Sequence, residues 1–117
     1  MRTKIGAQGE VMIYQIDAIP SRVQTKPVER NAEGNAIVSH SEQGNHHVLT
    51  GGVDVLERTT DVPEGMRILY ALLDGPQEIR QDAAVPHDAI ALPPGAYEFR
   101  TAREHDPFSQ QARRVAD

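Results

Sequence analysis

The chain contains no cysteine and no tryptophan, and its aromatic residues are limited to three tyrosines and two phenylalanines. Without cysteine, disulfides, thiolate zinc sites and cysteine nucleophiles are all excluded. The hydrophobic fraction of 38% predicts a lean core. A chain of 117 residues nevertheless suffices for one domain that folds without covalent cross-links.

The chain also lacks an excess of positive charge, because acidic residues outnumber basic ones and the net charge is -5. A protein that wraps nucleic acid needs clustered Lys and Arg to release counterions, so this balance argues against a nucleic-acid partner. No apolar stretch approaches the roughly 18 residues of a membrane span. Residues 1–9 also lack the apolar core of a signal peptide. The sequence therefore predicts a cytoplasmic protein without a membrane partner.

Eight prolines and nine glycines are scattered along the chain and divide it into short segments, a pattern typical of an all-β domain. Strands are predicted over residues 10–17, 36–40, 46–50, 53–58, 67–73 and 77–80, and on both sides of the Pro93-Pro94-Gly95 turn. That turn is expected to be type II and to fix the register of its two flanking strands. The predicted fold is mainly β, a small antiparallel barrel or sandwich with a jelly roll as one candidate topology.

Two further elements complete this prediction. Residues 1–8 are expected to be a flexible N-terminal tail, and residues 9–117 a single β-rich domain. One short C-terminal helix is predicted over residues 106–116, because Asp106 suits the N-cap position. Phe108, Arg113 and Arg114 make this helix a candidate interaction element.

The most unusual feature is a cluster of histidines and one acid over residues 40–47. Its sequence is His40-Ser41-Glu42-Gln43-Gly44-Asn45-His46-His47. His40 and Glu42 are two residues apart and would project from the same face of a strand. After the Gly44-Asn45 turn, either His46 or His47 can face them. Because His46 and His47 are adjacent, a regular strand sends them to opposite faces, and at most one joins a shared site.

Two imidazoles and a carboxylate bind Zn²⁺, Fe²⁺ or Mn²⁺ and leave positions open for water or substrate. His87 begins a predicted strand at a cupin-like distance downstream and is a further candidate ligand. His40, Glu42, His46, His47 and His87 are therefore the candidate ligands for one divalent transition metal. The alternatives are a solvated polar hairpin and a pH sensor, since histidine titrates near neutrality.

Two segments of the chain form a recognisable combination. One is the His-Ser-Glu-x-Gly-x-His-His-Val run within residues 37–49, and the other is the Leu-Pro-Pro-Gly-x-Tyr to Arg-Val-Ala-Asp ending within residues 90–117. Together they resemble a group of small uncharacterised proteins from bacterial, prophage and tailed-phage genomes. The resemblance implies a phage-type setting, in the host cytoplasm or the virion, and favours a role for His46 and His47. Asn45 stands where the related run has another histidine, and His105 where the related ending has tyrosine.

The function predicted first is a non-enzymatic phage- or prophage-type accessory or virion-associated module. It would act through a β surface and the predicted helix, on a protein partner or by self-association. This prediction depends on the resemblance and on the lack of a phosphate-binding loop, a nucleophile elbow or a dinucleotide fingerprint in the sequence. The alternative is a cupin-like metal-binding protein or metal-dependent enzyme that uses the histidine cluster.

Overall fold

The short apolar and alternating runs of the sequence form ten β-strands in the computed structural model, which describes residues 2–40, 46–81 and 89–102. The strands are β1 (Thr3–Gln8), β2 (Val11–Ile16), β3 (Thr25–Pro27), β4 (Ala36–Ser39), β5 (His47–Leu49), β6 (Val55–Arg58), β7 (Met66–Leu73), β8 (Gln77–Gln81), β9 (Ile90–Leu92) and β10 (Gly95–Ala102). No helix occurs in these ranges. The predicted β class is confirmed, while the predicted helix over residues 106–116 lies outside the described residues.

The strands form two antiparallel sheets that do not close into a barrel, so the barrel alternative is wrong. One sheet has six strands in the order β1-β2-β10-β7-β6-β3, and the other has four in the order β4-β5-β8-β9. The chain passes between the two sheets four times. The first passage follows β3, where Val28 N donates to Val55 O at 3.1 Å and Ile37 N donates to Glu29 O at 2.8 Å. Four hairpins each stay within one sheet, unlike the arrangement of an eight-stranded jelly roll built from two Greek keys.

The core lies between the two sheets, because alternate residues of a strand point to the same face. The six-stranded sheet contributes Val11, Ile13, Val55, Leu69, Ala71, Leu73, Tyr97 and Phe99, and the four-stranded sheet contributes Ala36, Val38, Leu49, Ile79 and Leu92. The rings of Tyr97 and Phe99 are both fully buried and stack 6.5 Å apart. Burial raises the pKa of Tyr97, which therefore keeps its phenolic proton.

The sequence predicts a flexible tail at residues 1–8, but Thr3–Gln8 forms the edge strand β1. Its backbone pairs antiparallel with β2, with a bulge between Lys4 and Gly6. Pairing through main-chain groups does not require apolar side chains, and Gln8 is the single fully buried residue of β1. The polar composition of this segment therefore concealed a strand.

The Pro93-Pro94-Gly95 turn also differs from its prediction, because β9 belongs to the four-stranded sheet and β10 to the six-stranded sheet. The turn carries the chain from one sheet to the other and sets no register between the two strands. Gly95 has a φ of 147°, whereas a type II turn needs about 80° at this position. The Tyr97 hydroxyl donates a hydrogen bond of 2.6 Å to Pro93 O and fixes this crossing.

The turn between β5 and β6 requires glycine for two reasons. Gly51 and Gly52 have positive φ values of 85° and 64°, in a backbone region that residues with a Cβ rarely adopt. A Cβ on Gly51 would also collide with the side-chain amide of Gln77. That amide is held in place because Thr50 Oγ1 donates to Gln77 Oε1 at 2.8 Å.

We expect Gly51→Ala to destabilise the fold more than Gly34→Ala, a matched control. Gly34 has a φ of 84°, and no atom lies within 4 Å of a Cβ placed there. The control should lose about 1–2 kcal/mol from its positive φ alone. Gly51→Ala should lose about 1 kcal/mol more, because Gln77 must swing away and its bond to Thr50 is broken. Urea unfolding of both variants measures the difference, and equal losses would contradict this account of the turn.

Candidate functional site

The hairpin of β4 and β5 brings two histidines of the predicted cluster together. The two strands pair antiparallel, so His40, directly after β4, lies beside His46, directly before β5. Their ring centroids are 4.9 Å apart, with an edge-to-face angle of 71°. Glu42 and His87 lie outside the described residues.

His47 points away from this pair, into the space between the sheets, and is 6% exposed. Gln8 Nε2 donates to Ile79 O at 3.1 Å, which leaves Gln8 Oε1 as an acceptor. His47 Nδ1 lies 2.8 Å from that oxygen and therefore donates its proton to it. The adjacent histidines thus have different surroundings, and His47 links β5 to β1 and β8.

The His40 and His46 rings are spaced as two imidazole ligands of one metal ion would be. A Zn–N bond of about 2.1 Å places two imidazole centroids on one tetrahedral ion about 5 Å apart, which is close to the observed spacing. Among residues 2–40, 46–81 and 89–102, no group of three or more His, Asp or Glu side chains is arranged to hold a metal. A complete site therefore requires ligands from outside these residues.

A second candidate site lies on the outer face of the six-stranded sheet. The outward row of β7 consists of Met66, Ile68, Tyr70 and Leu72, which alternate with its core residues. Ile68 and Tyr70 are buried, whereas Leu72 is 60% exposed. An exposed leucine on a strand that is otherwise largely buried is a candidate contact residue.

Leu72 borders a cavity of about 540 Å³, which we call the Leu72 groove. It is lined by Ile19, Val53, Leu56, Tyr70 and Leu72, by Asp54 and Asp74, and by the Gly51-Gly52 turn with Gly75 and Gln77. Its volume lies within the range of about 300–1,000 Å³ that is usual for ligand pockets. Its lining combines five apolar side chains with two carboxylates, one amide and three glycines, and is therefore more polar than that of most ligand pockets.

Two carboxylates line the Leu72 groove, and one of them is paired with an arginine. Asp54 Oδ1 accepts a hydrogen bond from Arg30 Nη2 at 2.7 Å, and the Asp54 side chain remains 90% exposed. Asp74 is exposed as well. In the part of the chain that the structure describes, no Lys, Arg or His side chain lines the groove. A positively charged group with an apolar stem therefore complements it.

A third cluster surrounds Glu98 on the same outer face. Glu98 is buried, and its Oε2 is 2.6 Å from Arg100 Nε and 3.2 Å from Arg2 Nη1. The Arg2 guanidinium lies 4.7 Å from the centre of the Tyr14 ring. These contacts attach the residue preceding β1 to the centre of the sheet.

Sequence reasoning missed the Leu72 groove. The apolar run of β7 shows which residues are hydrophobic but not which of them the rest of the fold leaves uncovered. For the Glu98 cluster a signal did exist, because Glu98 and Arg100 are two apart and face the same side of β10. The predicted interaction residues Phe108, Arg113 and Arg114 lie outside the described residues.

The described strands form a small all-β domain of two antiparallel sheets. Residues 7–102 match the domain of unknown function DUF8820, and the chain belongs to this family. Comparison with curated proteins and with solved structures gives no match. Within the described residues, no helix is long and apolar enough to cross a membrane.

The contact between Gln8 and His47 can be tested by removing its two partners in turn. We expect Gln8→Met to reduce the free energy of unfolding by about 1–3 kcal/mol, because it leaves the buried His47 Nδ1–H without this acceptor. The double variant Gln8→Met/His47→Phe should recover part of that loss, since both polar partners are then replaced by apolar groups. Urea unfolding measures both effects. A double variant that loses the sum of the two single losses would contradict the contact.

Proposed function

We propose that this protein is a non-enzymatic interaction module of the phage or prophage type, accessory or virion-associated, and that the Leu72 groove is its contact surface. Its partner is a protein, either a second copy or another chain, in the host cytoplasm or in the virion. Support comes from the resemblance of residues 37–49 and 90–117 to phage-type sequences. The net charge of -5 favours a protein over a nucleic acid as the partner.

The observation that carries this proposal is the exposure of Leu72 beside the groove. Burying a leucine side chain contributes about 1.5–3 kcal/mol, so leaving it in water forgoes a large stabilisation that a partner can supply. The neighbouring apolar wall of Ile19 and Leu56 extends the same surface. Isolated exposed leucines are common, but a leucine at the rim of a cavity offers a partner a place to insert a side chain.

We expect Leu72→Ser to weaken self-association of the full chain by about tenfold or more, because the contact loses a buried leucine. Stability should change by only about 0.5 kcal/mol, since the side chain is mostly exposed in one copy. Sedimentation velocity over a range of concentrations measures the association, and thermal unfolding checks the fold.

Ile5→Ser is the matched control, because Ile5 is also an exposed large apolar residue, 41% exposed, but lies on the edge strand β1. It should leave association unchanged. A wild-type chain that remains monomeric at every concentration, or equal effects of the two substitutions, would refute the groove as a surface for self-association.

A second proposal is that the histidine cluster binds one divalent transition metal, as in a cupin-like metal-binding protein or metal-dependent enzyme. The observation that favours it is the 4.9 Å spacing of the His40 and His46 rings. Glu42 and His87 would complete the ligand set. His47 is the least suitable ligand, because its Nδ1 already donates to Gln8.

Under this second proposal, protein purified without a histidine tag should contain stoichiometric metal or gain thermal stability on addition of Zn²⁺, Mn²⁺ or Fe²⁺. At a metal concentration 100 times the Kd, binding stabilises the fold by about 2.7 kcal/mol. His40→Gln and His46→Gln should each abolish the gain, while His105→Gln, outside the cluster, should retain it. Absence of both bound metal and thermal shift would exclude the site.

A further inference from the structure

We infer that the Leu72 groove of one copy receives the segment 103–117 of another copy, so that the chains associate head to tail. This inference rests on the proposed function, because it names the occupant of the same groove. Its arguments are the charge of the groove, the composition of the segment and the direction in which the chain leaves the six-stranded sheet.

The composition of the segment complements the groove. The charges of residues 103–117 balance as a whole, but between Pro107 and Ala116 the only charged residues are Arg113 and Arg114. Among the described residues that line the groove there is no basic side chain. Asp54 is already paired with Arg30, which leaves Asp74 as the carboxylate for an incoming arginine. Arginine has a long apolar stem and a charged end, which suits a surface with an apolar wall and carboxylates at its rim.

The apolar residues of the segment suit the groove as well. The sequence predicts a helix over residues 106–116, in which Phe108, Ala112 and Val115 fall on one stripe at spacings of four and three residues. Phe108 is the large apolar side chain of that stripe and would pack beside Leu72. A groove of about 540 Å³ has room for more than one side chain of such a stripe.

The direction of β10 favours a second copy over the same chain. Gly95 pairs with Leu73 and Ala102 with Met66, so β10 runs away from the groove and ends at the opposite end of β7. Six residues of strand separate Met66 from Leu72, a distance of about 20 Å. Thus β10 ends at a distance from the groove of its own chain, at the end where a copy placed end to end would present its groove.

The groove and the segment are different surfaces, so a contact between the groove of one copy and the segment of another is heterologous. Each copy then has one groove and one segment to offer, so association does not stop at a dimer unless the subunits close into a ring. The wild-type protein should accordingly form species larger than a dimer as its concentration rises.

The decisive experiment uses two full-length variants, each with one half of the contact reversed in charge. Asp74→Arg blocks the groove, and Arg113→Asp/Arg114→Asp blocks the segment. Each variant alone should sediment as a monomer, because like charges then oppose one another across the contact. An equal mixture should recover association with the two variants alternating, since the native segment fits the native groove and the reversed segment fits the reversed groove. All three substitutions in one chain should restore association, and Ile5→Ser should leave it unchanged.

The outcomes separate this inference from the proposed function. If Leu72→Ser and Asp74→Arg weaken association but Arg113→Asp/Arg114→Asp does not, the groove stands as the contact surface and the segment is refuted as its occupant. If the mixture stays monomeric while the wild type assembles, the head-to-tail arrangement is wrong. If the wild type is a monomer, the head-to-tail arrangement is refuted, and Leu72→Cys/Phe108→Cys then tests whether the segment docks in the groove of its own chain. The native sequence contains no cysteine, so an intramolecular disulfide would show that the groove binds the segment of its own chain.

Discussion

The fold depends on the position of β10 at the centre of the six-stranded sheet. Along one edge β10 pairs with β2, and along the other it pairs with β7 over its whole length. From this central position Tyr97 and Phe99 fill the space between the sheets, and both are fully buried. The chain has few aromatic residues, so placing two of them on the central strand gives a lean composition a continuous core. The alternate residues of β10 carry the Glu98 cluster on the outer face.

The sequence was informative wherever a segment buries one of its own faces. The apolar run of β7 and the alternation in β2 both indicated strands. The alternation in β2 did not show which face is buried, because Met12, Tyr14 and Ile16 also form an apolar row while Val11 and Ile13 face the core. The edge strand β1 was missed because its stability comes from main-chain pairing, which leaves little trace in side-chain pattern. The Pro93-Pro94-Gly95 turn was placed correctly but given the wrong partners, because sheet membership is a property of the whole fold.

The candidate sites were also predictable from the sequence only in part. Strand alternation separated His46 from His47, and the structure gives the two rings different surroundings, one beside His40 and the other beside Gln8. The Leu72 groove was beyond sequence reasoning, because it is formed by loops and strand ends that are distant in the chain. Asp54 and Asp74 each lie near a glycine turn, and nothing in their local sequence indicates that they border one cavity.

The pairing of β2 with β10 also has a consequence for biosynthesis. In this register Ile13 lies opposite Phe99, so β2 leaves the ribosome long before its partner is made. Until β10 is synthesised, one edge of β2 has unpaired backbone groups and the core lacks the rings of Tyr97 and Phe99. Such long-range pairing closes slowly, because a long loop must be ordered before the contacts form. The domain therefore folds only after the chain has been synthesised as far as β10. Until then the nascent chain exposes an aggregation-prone edge of β2.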